Sequence, residues 1–199
     1  FGGSADPSDA VISSGQLIIS RSANDDVRRD LGSDYSAGSL YIGFTLQMNT
    51  APASEQYIFG LSNDANTFRD KLYVNAPGGG GGYRLGTTIA SSGATYWASD
   101  LALGVTYQIV MRADLDGDTT CLWIDPVDES STSVSATFAS STVAQNAFSR
   151  QTGSIGISAV DNLVVATTFT EAIPEAGTMA MMGVGLVLLA VRRALKWLA

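Results

Sequence analysis

The chain has 199 residues, with 19 acidic and 11 basic side chains, a formal net charge of −8 and no histidine. An acidic chain disfavours nucleic acid as a partner, because binding to the phosphate backbone requires a basic surface. The absence of histidine removes the usual general base and the commonest metal ligand, so chemistry that depends on histidine is excluded. The length is sufficient for one domain with a substantial core.

Apolar residues alternate with small or polar ones along most of the chain, which is the pattern of β-strands. The clearest run, residues 39–49, places five apolar side chains on one face. We predict strands at 16–21, 39–49, 55–61, 71–75, 82–89, 95–97, 105–113, 119–124, 134–138, 153–160 and 161–169. Turn residues separate them, and no long amphipathic helix precedes residue 172. The sequence therefore predicts an all-β fold, a sandwich of two antiparallel sheets.

Three segments between these strands are predicted to be loops. Residues 23–36 are polar and charged, which favours a solvated loop or a short helical turn. Residues 125–146 are rich in serine and threonine, and we expect a loop there with one edge strand. Residues 78–82 are five consecutive glycines. A phosphate-binding loop would continue into a Lys-Ser/Thr helix, whereas Tyr83 opens a strand, so we predict a hairpin connection.

The segment Asp114-Leu-Asp-Gly-Asp118 lies between two alternating runs. Asp-Gly at such a place predicts a hairpin turn, because glycine tolerates the positive φ that these turns need. The carboxylates of Asp114, Asp116 and Asp118 also resemble part of a calcium loop. An EF-hand would need a glutamate where Asp125 stands, and helices instead of strands. We favour the turn, and calcium stays as the alternative and as the one cofactor that the sequence suggests.

Cys121 is the single cysteine, so an internal disulfide is excluded. It lies in a predicted strand between Thr120 and Leu122, and we expect a small residue of the core. An intermolecular bridge or a lipid-modified thiol is the alternative.

The end of the chain is apolar and uncharged from Gly177 to Val191. In lipid such a run must form a helix, and about 20 residues are needed to span the bilayer, with a minimum of about 17. We predict an exported domain at 1–171, a linker at 172–177 and a transmembrane helix at 178–198. The alternative is a buried C-terminal helix. The predicted anchor residues are Met179, Met181, Met182, Gly183, Val184, Gly185, Leu186, Val187, Leu188, Leu189 and Val191.

A basic cluster of Arg192, Arg193 and Lys196 follows the apolar run. The end of a transmembrane span that carries positive charge usually lies on the cytoplasmic side, so we expect the preceding domain to lie outside the cytoplasm. We also expect membrane lipid to be one partner of the chain. Export also implies a signal peptide, which we expect to have been removed ahead of Phe1.

Pro174, Glu175 and Ala176, followed by the apolar run and an arginine pair, resemble the PEP-CTERM sorting signal of Gram-negative bacteria. The resemblance implies export and processing by an exosortase. It also implies an inner-membrane location, with the domain periplasmic or at the cell surface. In that family the tripeptide is usually Pro-Glu-Pro, and the chain usually stops near the arginine pair. Here Ala176 takes the third position, and six residues follow Arg193.

Residues 101–112, the Asp-Gly turn and residues 121–126 resemble the strand–turn–strand core of concanavalin-A-like (laminin-G-like) jelly rolls. Residues 153–158 and 161–166 are similar to the closing strands of that family. The resemblance implies a jelly-roll sandwich whose loops bind sugar or calcium in some members, and it assigns no binding residue here.

Glycosidases of this fold need two carboxylates about 5 Å apart, on a Glu-x-Asp-x-x-Glu strand. The glutamates ahead of the tail, chiefly Glu55 and Glu129, do not lie in that pattern. We therefore predict that the protein is not an enzyme. The adjacent Tyr96 and Trp97 are compatible with a sugar platform, although we favour core packing for them.

Two functions remain from the sequence. In the first, an anchored envelope protein presents a binding sandwich to glycan or to neighbouring proteins, and exosortase-type processing releases it as a glycan- or calcium-binding matrix protein. In the second, an accessory subunit of a membrane complex retains its helix and caps the periplasmic face. Small residues such as Gly183 and Gly185 would allow close helix packing in that complex.

Overall fold

Thirteen strands and one short helix make up the part of the chain that this computed structural model describes, residues 11–20, 26–89, 93–150 and 155–173. In chain order they are β1 (Val11–Ser13), β2 (Gln16–Ile19), β3 (Val27–Tyr35), β4 (Ser39–Thr50), β5 (Gln56–Ser62), β6 (Phe68–Asn75), β7 (Arg84–Thr88), β8 (Thr95–Tyr96), β9 (Thr106–Asp114), β10 (Thr119–Ile124), β11 (Ser133–Thr137), β12 (Ala144–Ser149), β13 (Ile157–Ala166) and α1 (Phe169–Ala172). Neighbouring strands within these ranges pair antiparallel, which confirms the all-β prediction.

The strands form two sheets that enclose one main core. The seven-stranded sheet has the order β1-β2-β13-β4-β9-β10-β11, and the six-stranded sheet has the order β3-β12-β5-β6-β7-β8. The inward face of β4 is the one that the alternation predicts, and its five side chains are at most 2% exposed. They are Leu40, Ile42, Phe44, Leu46 and Met48. Across the core, the Phe44 ring packs on Phe59 of β5 at a centroid distance of 4.9 Å.

Both predicted hairpin connections are confirmed. β9 and β10 pair directly, with Asp114 opposite Thr119 at the turn. β6 and β7 pair across the glycine-rich loop. In that loop the amide N–H groups of Gly78, Gly79 and Gly80 donate to the Asp100 carboxylate, which occupies the concavity that consecutive amides form.

The edge strand predicted at 134–138 is found as β11, and two segments predicted as loop contain further strands. Within 23–36 the chain forms β3, which is an edge strand of the six-stranded sheet with mostly exposed side chains. Charged residues are usual on such edges because they prevent further strand pairing, and here they hide the alternation. At the end of 125–146 the chain enters β12, which lies between β3 and β5. Its buried residues include Ala144 and Ala147, which give a weak hydrophobic signal.

The two strands predicted at 153–160 and 161–169 are one strand, β13, in the described residues. The boundary between the two predicted strands falls at Asp161, and the next residue, Asn162, has a positive φ of 55°. The chain nevertheless continues along β4, and the register shifts between Asp161 and Val164 as in a β-bulge. A short helix, α1, then packs on the outer face of the seven-stranded sheet.

Within the described ranges no helix is long and apolar enough to cross a membrane. The predicted transmembrane helix at 178–198, with its anchor residues and basic end, lies outside those ranges. The predicted sorting tripeptide at 174–176 also lies outside them.

A polar network crosses the core between the sheets. The Thr120 hydroxyl of β10 donates to the Asp70 carboxylate of β6, and the hydroxyls of Thr87 and Thr120 are 2.7 Å apart. Asp70 is fully buried, and its Oδ2 has no hydrogen-bond partner among the residues that the structure describes. Burial raises the pKa of Asp70 to about 7.

Because the pKa of Asp70 rises from 3.8 on folding, the folded state holds a proton between about pH 4 and 7 that the unfolded state has lost. The contribution of Asp70 to stability therefore falls as the pH rises through this window. Asp70→Asn has no proton to lose in this window, so the stability of the variant should not show the decrease. Between about pH 4 and 7 the unfolding free energy of the wild type should therefore fall, relative to that of the variant, by up to about 4 kcal/mol. Urea unfolding at several pH values measures the difference. Asp34→Asn, at an exposed edge position, is the control, and a pH-independent difference for Asp70→Asn contradicts the expectation.

Candidate functional site

Four aromatic rings cluster on the outer face of the six-stranded sheet. They come from three adjacent strands, because Tyr57 lies on β5, Phe68 and Tyr73 on β6, and Phe148 on β12. The Tyr57 ring is the centre, 5.1 Å from Phe68, 5.9 Å from Tyr73 and 6.0 Å from Phe148 between centroids. We call these four residues the aromatic face. Their neighbours along the strands, such as Leu72 and Ala147, point into the core.

Two cations lie among these rings. The Lys71 ammonium is 5.1 Å from the Phe68 centroid, 5.5 Å from Tyr57 and 5.6 Å from Tyr73. The Arg150 guanidinium lies 4.3 Å from the Tyr57 centroid and donates to Gln56 at 3.1 Å. Such contacts are favourable because the face of an aromatic ring is negative. None of the ion pairs found among the described residues includes Lys71.

Two open clefts flank Phe68 and share Phe68 and Asn66 in their walls. The first, which we call the Tyr57 cleft, has a volume of about 330 Å³ and also contains Tyr57, Phe148 and Arg28. The second, the Lys71 cleft, has a volume of about 320 Å³. Its wall includes Lys71, Ile89 and Phe138, and Phe138 is 52% exposed. Each cleft is at the lower end of the size range of ligand pockets.

A buried hydroxyl lines the Tyr57 cleft. Ser62, at the end of β5, is 1% exposed, and its Oγ has no hydrogen-bond partner within the described residues. An unpaired buried polar group is costly, so each one calls for a structural or functional explanation. Asp26 and Arg28 add charged groups to the wall of the same cleft.

Burial changes the protonation of the groups around the aromatic face. It lowers the pKa of Lys71 to about 8, although the adjacent Asp70 acts in the opposite direction. It raises the pKa of Tyr73 to about 12, with a further contribution from Glu55. Near neutral pH Lys71 is therefore cationic and Tyr73 protonated, and both residues are 3% exposed.

Tyr96 and Trp97, the pair suggested as a sugar platform, have different surroundings in the structure. Trp97 packs against the main core, as the favoured interpretation has it. The Tyr96 hydroxyl donates to Glu55 at 2.5 Å, and burial raises the pKa of Tyr96 well above its ordinary value.

The aromatic face was not predicted from the sequence. The alternation in β6 contained a signal, because Lys71 and Tyr73 alternate with the core residues Leu72 and Val74. Phe148 gave no such signal, since no strand was predicted between 138 and 153.

The three aspartates suggested as calcium ligands have separate partners. The Asp114 carboxylate accepts from the Gly117 amide at 2.9 Å, and Asp116 accepts from the Gly38 amide at 3.0 Å. Asp118 forms an ion pair of 2.8 Å with Arg69. Within the described residues, no group of three His, Cys, Asp or Glu side chains is placed to hold a metal ion.

Arg69 supplies a cation to this turn from the opposite sheet. Its side chain is 1% exposed, and its guanidinium donates to the carbonyls of Leu115 at 2.7 Å and Ser140 at 3.0 Å, besides pairing with Asp118. The guanidinium therefore neutralises Asp118 and satisfies the carbonyls of the turn. This arrangement favours the hairpin interpretation of the segment.

Cys121 is buried at 6% exposure in β10, as predicted for a core residue. It belongs to a second apolar cluster, on the outer face of the seven-stranded sheet. The Arg112 guanidinium lies 3.4 Å from its sulfur, and burial raises the pKa of the Cys121 thiol.

A family model described as the PEP-CTERM protein-sorting motif matches residues 172–194. The sorting signal predicted at the end of the chain is therefore found, and it indicates a protein of the cell envelope. No curated protein matches the sequence.

Solved structures with a similar fold include jelly-roll sandwich proteins. The PL7 alginate lyase AlyA1 from Zobellia galactanivorans is 15% identical, with a TM-score of 0.53 over 83% of each chain. A SAP-like pentraxin from Limulus polyphemus is 10% identical, with a TM-score of 0.52 over 83% of this chain and 79% of that one. A Trypanosoma rangeli sialidase mutant is 11% identical, with a TM-score of 0.50 over 72% of this chain and only 23% of the sialidase.

These comparisons correct the prediction that the protein is not an enzyme. That prediction rested on the missing histidine and on the missing Glu-x-Asp-x-x-Glu strand. Alginate lyases and a sialidase share the fold, so sandwiches of this architecture do support catalysis in other proteins. At 11–15% identity the similarity shows the fold alone.

Arg69→Met is expected to destabilise the domain by about 3 kcal/mol, because it leaves the Asp118 carboxylate and the turn carbonyls without their cation. Arg84→Met removes the more exposed ion pair with Asp100 and should cost less than about 1 kcal/mol. Chemical denaturation of both variants measures the two values. Equal losses for the two variants would contradict the assigned role of Arg69.

Proposed function

We propose that this chain is an exported envelope protein whose sandwich binds a polysaccharide across the aromatic face. The main observation in support of this proposal is the pair of clefts on either side of Phe68. Together they combine aromatic rings, cations and the unpaired Ser62 hydroxyl. Ligand sites typically combine an apolar surface with a few placed polar groups, and these clefts have both.

The shape of the site supports a linear polymer. Sugar rings have apolar faces that pack on aromatic side chains, and their hydroxyls need polar partners at the rim. Because the two clefts adjoin through Phe68 and Asn66, consecutive sugar units can occupy them in turn. The exposed ring of Phe138 adds apolar surface to the wall of the Lys71 cleft.

The cations of the site favour acidic sugar units. Lys71 has no carboxylate in its ion-pair range among the described residues, and Arg28 lies in the neighbouring cleft. An acidic group on the ligand would offset the free-energy cost of burying the Lys71 ammonium. Several proteins of similar fold are described as alginate or polysaccharide lyases, which agrees with a polysaccharide ligand without assigning a reaction.

The tail completes the proposal. The sorting motif at 172–194 supports export and processing by an exosortase. We further propose that the apolar run anchors the protein in the inner membrane before processing, with the basic end in the cytoplasm.

Tyr57→Ala should weaken polysaccharide binding about tenfold, because it removes a ring shared by the Tyr57 cleft and the Arg150 contact. Lys71→Gln should weaken binding of acidic polymers and leave neutral ones unaffected. An array of acidic and neutral polysaccharides identifies the polymer, and calorimetry with it gives the affinities. Val127→Ala, at an 85% exposed position, is the control.

For the wild type, acidic polymers should bind less tightly as the pH rises through about 8, because Lys71 loses its proton there. Absence of binding to every polymer on the array, or equal effects of Tyr57→Ala and Val127→Ala, would refute the proposal.

Mass spectrometry of the native C-terminus tests the processing. We expect a mature form that ends near Pro174, and no apolar tail in it. An intact Ala199 that co-purifies with other membrane subunits would instead support the accessory-subunit alternative.

A further inference from the structure

The short helix α1 is anchored to the sandwich by two buried side chains. Phe169 is 5% exposed and Ala172 is fully buried. The Phe169 ring meets Trp123 edge-on at 5.2 Å and Tyr41 at 5.9 Å between centroids. These contacts belong to the cluster on the outer face of the seven-stranded sheet, apart from the main core.

Gly43 of β4 makes room for this helix. A Cβ at Gly43 would lie 1.5 Å from the carbonyl oxygen of Ala172, a distance that no folded packing allows. The φ of Gly43 is not in the left-handed region, so the backbone conformation does not require glycine there. Glycine is needed at position 43 because any side chain there would prevent the close approach of α1.

The sorting motif begins inside this packed helix. The match covers 172–194, and its first residue, Ala172, is the last residue of α1. The amide of Ile173 donates to the Phe169 carbonyl at 3.2 Å, and Ile173 packs against the same cluster. Two residues of the motif therefore belong to the folded domain, directly ahead of Pro174.

We propose that α1 is a latch that shields the start of the sorting motif, so that cleavage of the tail requires α1 to leave the seven-stranded sheet. Proteases bind the residues around the cleaved bond in an extended conformation, which a buried helical turn cannot adopt without local unfolding. The latch concerns access to the chain. The cleavage itself is ordinary hydrolysis, in which water gives a hydroxyl to the new carboxyl terminus and a proton to the new amine. The inference rests on the proposed processing of the tail and is independent of polysaccharide binding.

A glutamate-specific protease tests the latch on the purified full chain in detergent, because Glu171 lies within α1. Gly43→Ala and Phe169→Ala should each accelerate cleavage after Glu171 about tenfold or more by displacing α1. Gly81→Ala is the matched control, since no atom lies within 4 Å of a Cβ built there and its rate should equal that of the wild type. Cleavage after Glu55, on the six-stranded side, reports global unfolding in the same digest.

Faster cleavage at Glu171 with unchanged cleavage at Glu55 supports the latch. Unchanged rates at Glu171 in both variants overturn it. A parallel rise at Glu55 also overturns it, because the variants would then act through the whole fold. In the native host, Gly43→Ala should shorten the time to the processed form. A wild-type tail that is never processed would refute the proposed processing, and the protease digest would still decide whether α1 protects the chain.

Discussion

The packing of the two sheets against each other determines every other feature of this domain. The inward residues of β4 and those of β5 and β6 fill one continuous core, with Phe44 against Phe59 at its centre. Since side chains alternate along a strand, each buried residue directs its neighbours to the outside. The outward residues of β5, β6 and β12 form the aromatic face, and those of β4 and β10 form the seat of α1.

Polar side chains cross this core in two places, and they act differently. Arg69 reaches from the six-stranded sheet to the β9–β10 turn, where it is fully engaged with a carboxylate and backbone carbonyls. Asp70, the next residue, has one oxygen without a partner and is held mainly by threonine hydroxyls. A buried charge with several partners stabilises one arrangement of the strands, whereas a poorly paired carboxyl favours its neutral form.

The sequence was informative where periodicity and burial coincide. The apolar face of β4 and the β9–β10 hairpin could be predicted, because long alternating runs and an Asp-Gly turn are local signals. β3 could not, since an exposed edge strand is stabilised by its pairing with β12 and carries charges on both faces. The strand β13 was divided in two at Asp161, because the pairing with β4 that continues past the bulge lies far away in sequence. The aromatic face depends on three strands, one of which was missed, so its members could not be grouped from the sequence. The sorting motif, being linear, could be read directly.

The positions of α1 and the clefts have a consequence for how the domain is presented. The described chain ends at Ile173 on the outer side of the seven-stranded sheet, while the Tyr57 cleft lies on the outer face of the six-stranded sheet. Packed sheets are about 10 Å apart, so the full thickness of the sandwich separates the two. An attachment made at Ile173 itself would therefore lie on the opposite side of the sandwich from Tyr57 and Phe68.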